Sequence, residues 1–556
     1  MKRNLADLSR TSYDLIVIGG GIYGAWTACD ASLRGLKVAL LDKGDFGSAT
    51  SSNTLKIVHG GLRYLQHADF RRMRQSIRER TILMRVIPNL VHPLPFLMPT
   101  YGHFMKGKEA MLLALRVNDL IGFDRNSLDD PQKYLPKGRV ISREECLELF
   151  PGVDEPGLTG GAVWYDCQMY NSERIIISIL RLAEESGAAL ANYAEVTGFL
   201  KRGDRITGIK ATDSFTQEVL DIHARVVVNA GGPWLDHVLG FLNGKNKTPK
   251  VLLSKAMNIV VGRKLIPDYA VGVSSASFRD RDKILNKGSR LLFITPWREC
   301  SLIGTTHDPY NGDPAGFRIT EKDIQDFIAE INRAHPPASL RREDVSFFHG
   351  GLLPTEGAGH KSLSVTKKYE VRDHAEEDGT QGLVSVLGVK YTTARDIAEK
   401  TVDLVFKKLE KMPSRCLTTE TPLYGGNIGR FEDFLSRELK KKAYGLNARV
   451  LNPLLYNYGS QYTEVLKYID ESPGLKEVMD SSSPVMKAEV VHGVREEMAM
   501  KLSDVVFRRT ELGSAGSPGE VALKNCAEIM ARELDWDQAR IQRELNEVRA
   551  IYSTDH

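Results

Sequence analysis

Three glycines near the start of the chain, Gly19, Gly21 and Gly24, have the spacing of a phosphate-binding turn. A short β-branched apolar run, residues 13–18, precedes them, and a helical stretch, residues 25–34, follows. In such a turn the first glycine allows the tight bend, the second lets the backbone approach a pyrophosphate, and the third lets helix and strand pack closely. The anion then sits at the helix N-terminus, where free N–H groups and the helix dipole favour negative charge.

A second strand, residues 37–42, ends in Asp42. A carboxylate at this place can accept hydrogen bonds from both ribose hydroxyls of a dinucleotide. The strand–helix–strand unit therefore predicts a site for NAD or FAD, and the alternative is a glycine turn that binds nothing. The sequence contains no second complete fingerprint of this type. Electrons would then enter from a substrate and leave to an acceptor other than a nicotinamide.

The 556 residues have a globular composition, with 42% hydrophobic and 26% charged residues. The formal net charge of +4 is too slight to argue for a nucleic-acid partner, although a local basic patch could still meet anionic lipid. Six cysteines are scattered singly, without the pairing of a zinc ribbon or a disulfide scaffold. The start lacks the apolar stretch of a signal peptide, and no apolar run reaches the roughly 18 residues of a membrane span. We therefore expect a cytoplasmic protein that does not cross a membrane.

Strand-like and helix-like segments alternate through the rest of the first 411 residues. The patterns predict helices at 172–185, 320–334 and 392–410, a buried strand at 224–229 and paired strands at 291–295 and 301–305. A linker rich in Pro, Thr and Gly follows at 412–429. We expect an α/β region at 1–411 and a separate all-helical domain at 430–556.

The predicted helical domain contains two clear periodic signals, the second of them on the last helix at Ile541, Leu545, Val548 and Tyr552. One helical face carries Val491, Val494, Met498, Leu502 and Val505. The last helix is expected to begin in a capping box at Asp535 and Gln538.

A longer block at 47–65, with Lys-Ile-Val-His-Gly-Gly-Leu-Arg-Tyr-Leu at its end, resembles the FAD-dependent glycerol-3-phosphate dehydrogenases of the aerobic, quinone-linked type and the related α-glycerophosphate oxidases. Further stretches resemble the same family at 226–234, 303–306, 312–314, 390–395 and 501–510. The resemblance covers essentially the whole chain.

The resemblance implies an α/β fold with a glutathione-reductase-type FAD-binding domain, an interleaved α+β substrate domain and an all-helical C-terminal cap. The FAD-binding parts would lie at about 1–100, 160–250 and 350–411. FAD would be bound non-covalently, and hydride would pass from C2 of sn-glycerol 3-phosphate, a phosphorylated polyol, to flavin N5, giving dihydroxyacetone phosphate. Electrons would continue to membrane quinone or to oxygen. A homodimer and peripheral attachment to the inner face of the membrane are compatible with the family.

The resemblance also implies roles for individual residues. Arg63, with Tyr64 beside it, would grip the substrate phosphate, and Lys390 would lie near both flavin and substrate. A surface salt bridge for Arg63 and a solvated lysine at a helix start are the alternatives. The remaining expected cofactor contacts are Thr50, Ser51, Ser52, Lys56, His59, Val196, Gly231, Gly388 and Thr392.

Several positions near the expected active site depart from the family pattern. Asn258 stands where the family has a His that is a candidate base, and a neutral amide can orient a hydroxyl but cannot take its proton. Leu353 replaces a substrate-binding Arg, His307 replaces an Asp, and Val389 replaces a Gly. Lys367 stands where the family has another basic residue.

Two interpretations of these departures remain open. In the first, the pocket is rebuilt: His307 or His349 acts as base, Lys367 and Lys390 hold the phosphate, and the substrate is glycerol 3-phosphate or another polyol phosphate or hydroxy acid. In the second, the protein binds FAD without turning over. An amine or amino-acid oxidase is a further alternative, and each histidine could be purely structural.

The segment 104–123 is apolar and carries Lys106, Lys108 and Arg116. This pattern is consistent with a helix at a membrane surface. A helix packed against the substrate domain is the alternative.

Overall fold

The computed structural model describes residues 1–102, 107–243, 251–275, 290–356, 364–365 and 369–554. These residues form two sheets, helices packed beside the sheets, and a C-terminal group of helices. Among them, no helix is both long and apolar enough to cross a membrane.

The first sheet has eight strands and a parallel centre, as the buried β-branched runs predict. Its parallel strands are Ser12–Ile18, Val38–Leu41, Ala189–Ala191, Val219–Asn229 and Leu383–Leu387. Glu370–Asp373 adds an antiparallel edge, and the antiparallel strands Ala194–Arg202 and Arg205–Asp213 extend the sheet. The carboxyl ends of parallel strands share one edge of the sheet, so Gly19, Asp42, Gly231 and Gly388 come together there.

Helices Ile22–Leu33, Ser172–Glu185 and Ala394–Lys408 pack together beside this sheet. Their apolar side chains share one core with the inward residues of the strands. The predicted helix at 172–185 and the strand–helix–strand unit at the start of the chain are confirmed, with boundaries shifted by at most three residues.

The second sheet has ten strands, most of them antiparallel. Its strands are Ile57–Val58, Val91–Tyr101, Arg139–Ile141, Leu158–Met169, Leu252–Val261, Ala270–Ser275, Arg290–Trp297, Cys300–Tyr310, Val345–Glu356 and Ser364–Val365. Along Leu252–Val261 the side chains alternate: Met257 and Ile259 join a core with helix Glu321–Ala334, whereas Asn258 between them points to the opposite face. That opposite face forms a wall of the large cavity described below.

The remaining helices of the first 411 residues are Leu5–Arg10, Phe70–Val86, Lys108–Ile121, Arg143–Leu149, Leu235–Asn243 and His374–Glu377. The C-terminal helices are Phe431–Lys441, Ala448–Tyr458, Tyr462–Glu471, Lys487–Glu497, Leu502–Asp504, Gly519–Leu534 and Gln538–Tyr552, with a π-helical turn at Val505–Arg509. They share a core that also includes Trp297 and Phe347 of the second sheet. The domain boundaries at 411 and 430 stay predictions.

Two details of the predicted helical domain are wrong. The stretch from Val491 to Val505 is not one helix, because Met498 adopts a left-handed backbone with φ 58° and ends helix Lys487–Glu497. A new helix starts after it, since the Asp504 carboxylate accepts the N–H groups of Met500 and Lys501, both at 2.9 Å.

The start of the last helix was also placed too early. Asp535 has φ 53° and ends helix Gly519–Leu534. The N-cap is Asp537, whose carboxylate accepts the Arg540 N–H at 2.6 Å. An aspartate can take either place, so the sequence alone did not separate them.

Candidate active site

The glycine turn has the geometry that its sequence predicts. Gly19 has φ +102°, and a Cβ on it would lie 2.6 Å from the carbonyl oxygen of Ala230. A Cβ on Gly24 would lie 1.8 Å from the carbonyl oxygen of Gly19. Gly21 is the N-cap of helix Ile22–Leu33 and has no side chain to cap it, while the Ile22 N–H donates to Ser51 Oγ at 3.0 Å. The helix start, with its dipole, and the Ser51 hydroxyl thus lie together where an anion would bind.

Asp42 lies at the end of strand Val38–Leu41 and faces the cavity. Its carboxylate accepts the N–H groups of Gly20 at 2.6 Å and Gly44 at 2.8 Å. Burial raises the pKa of Asp42 to about 6, against the lowering effect of these two bonds. Two ribose hydroxyls would add hydrogen bonds to the charged form, so this carboxylate fits the nucleoside end of a dinucleotide.

The edge of the first sheet and the free face of the second sheet enclose a cavity of about 2070 Å³. It is large enough for a dinucleotide and a small substrate together. Most of the predicted site residues line it: Gly19, Gly21, Asp42, Thr50, Ser51, His59, Arg63, Tyr64, Val196, Gly231, Asn258, His307, Gly388, Lys390 and Thr392. Leu353 and Val389 line it as well.

Four of the predicted residues that the structure describes, Gly24, Ser52, Lys56 and His349, do not line the cavity. Gly24 and Ser52 lie behind the turn, where Ser52 donates to the carbonyl of Gly47 at 2.8 Å. Lys56 was expected beside the flavin, but it is fully buried and its Nζ lies 2.7 Å from Glu173 Oε2. Lys367 falls outside the described residues.

The expectation that His349 could be the base needs correction. Its ring is 3% exposed and packs edge-on against Trp297 and Phe347, next to the C-terminal helices. Burial holds the pKa of His349 well below its usual value, and the cations of Lys56 and Arg298 lower it further. A side chain in this position is part of the packing and does not reach a ligand in the cavity.

Lys390 and Tyr64 form the cationic corner of the cavity with Arg63. The Lys390 ammonium lies 4.3 Å from the centre of the Tyr64 ring. Burial, with Arg63 close by, lowers the pKa of Lys390 to about 8. Tyr23 fixes this segment: its hydroxyl donates to the Lys390 carbonyl at 3.0 Å and accepts the Lys390 N–H at 3.1 Å. No local pattern in the sequence marks Tyr23 for this role, because the contact joins positions 367 residues apart.

His59 is paired with a carboxylate that the sequence analysis missed. Its Nδ1 lies 3.3 Å from Asp166 Oδ2, and its side chain is 50% exposed toward the cavity. The other Asp166 oxygen accepts from the Gly60 N–H at 2.6 Å and from Arg80 at 2.5 Å. Burial would raise the pKa of Asp166, but the hydrogen bond with His59, the Arg80 cation and the Gly60 N–H together hold it below its usual value. A charged carboxylate behind an imidazole orients the ring.

Asn258 and His307 lie on neighbouring strands of the second sheet. Thr305 donates its hydroxyl to Asn258 Oδ1 at 2.7 Å, so the group that Asn258 can offer to a ligand is its Nδ2 donor. Leu353, on the strand at the other side, presents an apolar side chain to the same space. This wall can orient a hydroxyl but contributes less positive charge than the Lys390 corner.

Residues 14–390 match a family model described as FAD dependent oxidoreductase, and residues 416–541 match one described as the C-terminal domain of alpha-glycerophosphate oxidase. A glycerol-3-phosphate dehydrogenase of Synechocystis is 34% identical over 98% of this chain and 97% of its own length. The aerobic glycerol-3-phosphate dehydrogenase of Staphylococcus haemolyticus is 31% identical over 91% of this chain and 87% of its own.

Two solved structures are similar to this chain. The glycerol-3-phosphate dehydrogenase of Bacillus halodurans, solved with FAD, is 26% identical with a TM-score of 0.77, and the match covers 99% of this chain and 96% of the other. The L-alpha-glycerophosphate oxidase of Mycoplasma pneumoniae, also solved with FAD, is 17% identical with a TM-score of 0.55 over 74% of this chain and 99% of the other, a likeness of fold.

Proposed function

The chain belongs to the FAD-dependent oxidoreductases, among the glycerol-3-phosphate dehydrogenases, and from this we propose that it oxidises sn-glycerol 3-phosphate to dihydroxyacetone phosphate. Its cofactor is FAD. The observation that carries the proposal is the arrangement of one cavity, in which a dinucleotide cradle adjoins a cationic corner and an oriented imidazole.

The dinucleotide cradle fits FAD. The helix start at Gly21 would hold the pyrophosphate, Asp42 the ribose, and the strand at Val196 the adenine. FAD supplies the hydride acceptor when it is bound. The large volume of the cavity beyond these residues leaves room for the substrate.

Arg63 and Lys390 are proposed to hold the substrate phosphate. A phosphate dianion prefers a guanidinium for bidentate hydrogen bonds and an ammonium as a point charge. Burial of the Lys390 ammonium and its repulsion by the nearby Arg63 cation both lower the pKa of Lys390. A bound dianion would relieve this repulsion.

His59 is proposed to take the proton of the C2 hydroxyl. Its imidazole is already oriented by Asp166, whereas Asn258 can only donate a hydrogen bond to that hydroxyl. His307 also lines the cavity and is the alternative base. With the proton held at an imidazole beside a buried carboxylate, the oxygen of C2 can become a carbonyl as hydride leaves the carbon.

We further propose a quinone as the electron acceptor and a peripheral contact with the membrane. Helix Lys108–Ile121 supports this: Met111, Ala114 and Val117 line the cavity, while Leu113 is 67% and Leu120 74% exposed. An apolar path from the cavity to an apolar surface suits a quinone that partitions into lipid. Oxygen as acceptor and a homodimer stay open.

Anaerobic reduction tests the function. The purified yellow protein should lose its flavin absorbance near ~450 nm when sn-glycerol 3-phosphate is added, and not with glycerol, which lacks the phosphate that Arg63 and Lys390 bind. Reoxidation by a soluble quinone that is faster than by air would support the quinone proposal. A flavin that stays oxidised would contradict the assigned substrate. It would favour another polyol phosphate as substrate or a redox-silent protein, in agreement with the apolar Leu353 in the pocket. Release of ammonia would indicate an amine oxidase.

A further inference from the structure

The C-terminal helices contact the loop that carries Asp42, at the adenosine end of the cavity. We call residues 42–47 the ribose loop. Its Asp45 is 1% exposed and accepts three charge-assisted hydrogen bonds from two arginines of the C-terminal region. Arg509 binds both carboxylate oxygens, at 2.6 and 2.7 Å, and Arg508 binds one of them at 2.5 Å.

Hydrogen bonds also connect Asp45 and the C-terminal region to residues 192–193, at the opposite wall of the adenosine end of the cavity. Asn192 donates to Asp45 Oδ1 at 3.1 Å and to the carbonyl of Met498 at 2.8 Å. Tyr193 donates its hydroxyl to Asp504 Oδ1 at 2.6 Å, and Arg508 donates to the same oxygen at 2.7 Å. The next three residues in the chain, 194–196, line the cavity where the adenine is expected.

The arginine pair sits on a rigid base. Arg508 and Arg509 are the last two residues of the π-helical turn Val505–Arg509. In a regular α-helix, consecutive side chains point about 100° apart, whereas these two side chains both reach the Asp45 carboxylate. Arg509 also donates to the Glu497 carbonyl at 2.8 Å. The Glu497 carboxylate is held by both terminal nitrogens of the buried Arg174, at 2.5 and 2.8 Å.

A short chain of bonds connects Asp45 to the ribose-binding carboxylate. Gly44, its neighbour, donates its N–H to Asp42 Oδ1 at 2.8 Å and accepts the Tyr193 N–H at 3.0 Å. A displaced Asp45 would move Gly44, and Gly44 holds one of the two Asp42 oxygens. The buried charges of Asp45 and Asp504 are matched by those of the two arginines, so removing one partner would leave an uncompensated charge.

We propose that the Arg508–Arg509 turn is a clamp through which the C-terminal region positions the ribose loop, so that retention of FAD depends on it. Asp45, Arg508 and Arg509 are positioning residues, because none of the three lies among the described residues that line the cavity. The proposal rests on FAD as the cofactor and not on the identity of the substrate. It gives the 501–510 segment, distant in sequence from the glycine turn, a role in cofactor binding.

The test compares FAD with FMN, which lacks the adenosine half. The apoprotein of Asp45→Asn is titrated with each flavin, and binding is followed by fluorescence. It should bind FAD about tenfold more weakly than the parent protein, because charge-assisted hydrogen bonds are lost. Its affinity for FMN should equal that of the parent protein. Saturating FAD should restore the parent kcat. The matched control is Glu79→Gln, which removes an equally buried bidentate partner of Arg395, at 2.7 and 2.7 Å, away from the cavity. It should leave the ratio of the two affinities unchanged.

Three results would overturn the clamp: an unchanged FAD affinity in folded Asp45→Asn, an equal loss for FAD and FMN, or the same change of ratio in Glu79→Gln. If Asp45→Asn does not fold, Tyr193→Phe provides the second variant. It removes only the hydroxyl bonded to Asp504, and about a threefold loss of FAD affinity at constant FMN affinity is expected. No change in that ratio would contradict the proposal equally.

Discussion

The two halves of the cavity are built in opposite ways. The adenosine and pyrophosphate half uses backbone: the turn at Gly19, the start of helix Ile22–Leu33 and two N–H groups that fix Asp42. The reacting half uses side chains from distant segments, such as the pair of His59 and Asp166. A backbone-built turn is most sensitive to an added Cβ, whereas a site built from distant side chains is most sensitive to replacement of those side chains.

Three of the positions that the resemblance marks as departures from the family pattern fall in only one of these halves. Asn258, His307 and Leu353 all lie in the reacting half, on three neighbouring strands of the second sheet. Their replacement changes charge and hydrogen bonding without altering the strand backbone. The turn that would hold the pyrophosphate is more restricted, since a Cβ on Gly19 or on Gly24 would collide with a main-chain carbonyl oxygen.

The largest effect is expected from Gly24→Ala, which tests the backbone half. The new Cβ would lie 1.8 Å from the Gly19 carbonyl oxygen, so the turn must open. We expect purified protein with less than about a tenth of the parent flavin content, measured as the ratio of flavin to protein absorbance. Gly240→Ala is the control, because its Cβ would meet no atom within 4 Å in helix Leu235–Asn243. Full flavin content in Gly24→Ala would show that the turn is not the cofactor site.

The backbone half was predictable from sequence because its signals are local. An apolar run, three glycines and an acid within residues 13–42 describe both the elements and their contacts. The second sheet offers no such signal for the pairing of His59 with Asp166, which lie 107 residues apart. The same reason applies to His349 and Lys56: their types suit the cavity chemistry, but in the interior Lys56 pairs with Glu173, and His349 packs against Trp297 and Phe347.

The second prediction tests which imidazole acts in the reacting half. His59→Asn should lower kcat/KM for sn-glycerol 3-phosphate by about 100-fold or more, the usual contribution of a general base, with the flavin still bound. His307→Asn should cost less than about tenfold, since the oriented imidazole of His59 stays in place. Anaerobic stopped-flow reduction of the flavin measures both. A larger loss in His307→Asn than in His59→Asn would reverse the assignment.

The smallest effect concerns the charge of the Lys390 corner. Because the pKa of Lys390 is lowered to about 8, its ammonium is present below that pH and is lost as pH rises through it. The substrate phosphate is a dianion throughout this range, since its second pKa is about 6, so kcat/KM should fall about tenfold between pH 7 and pH 9. Lys390→Arg keeps the charge above pH 8 and should flatten this limb of the profile. An unchanged alkaline limb in Lys390→Arg would mean that another group titrates there, and that the cationic corner does not set the pH dependence of substrate capture.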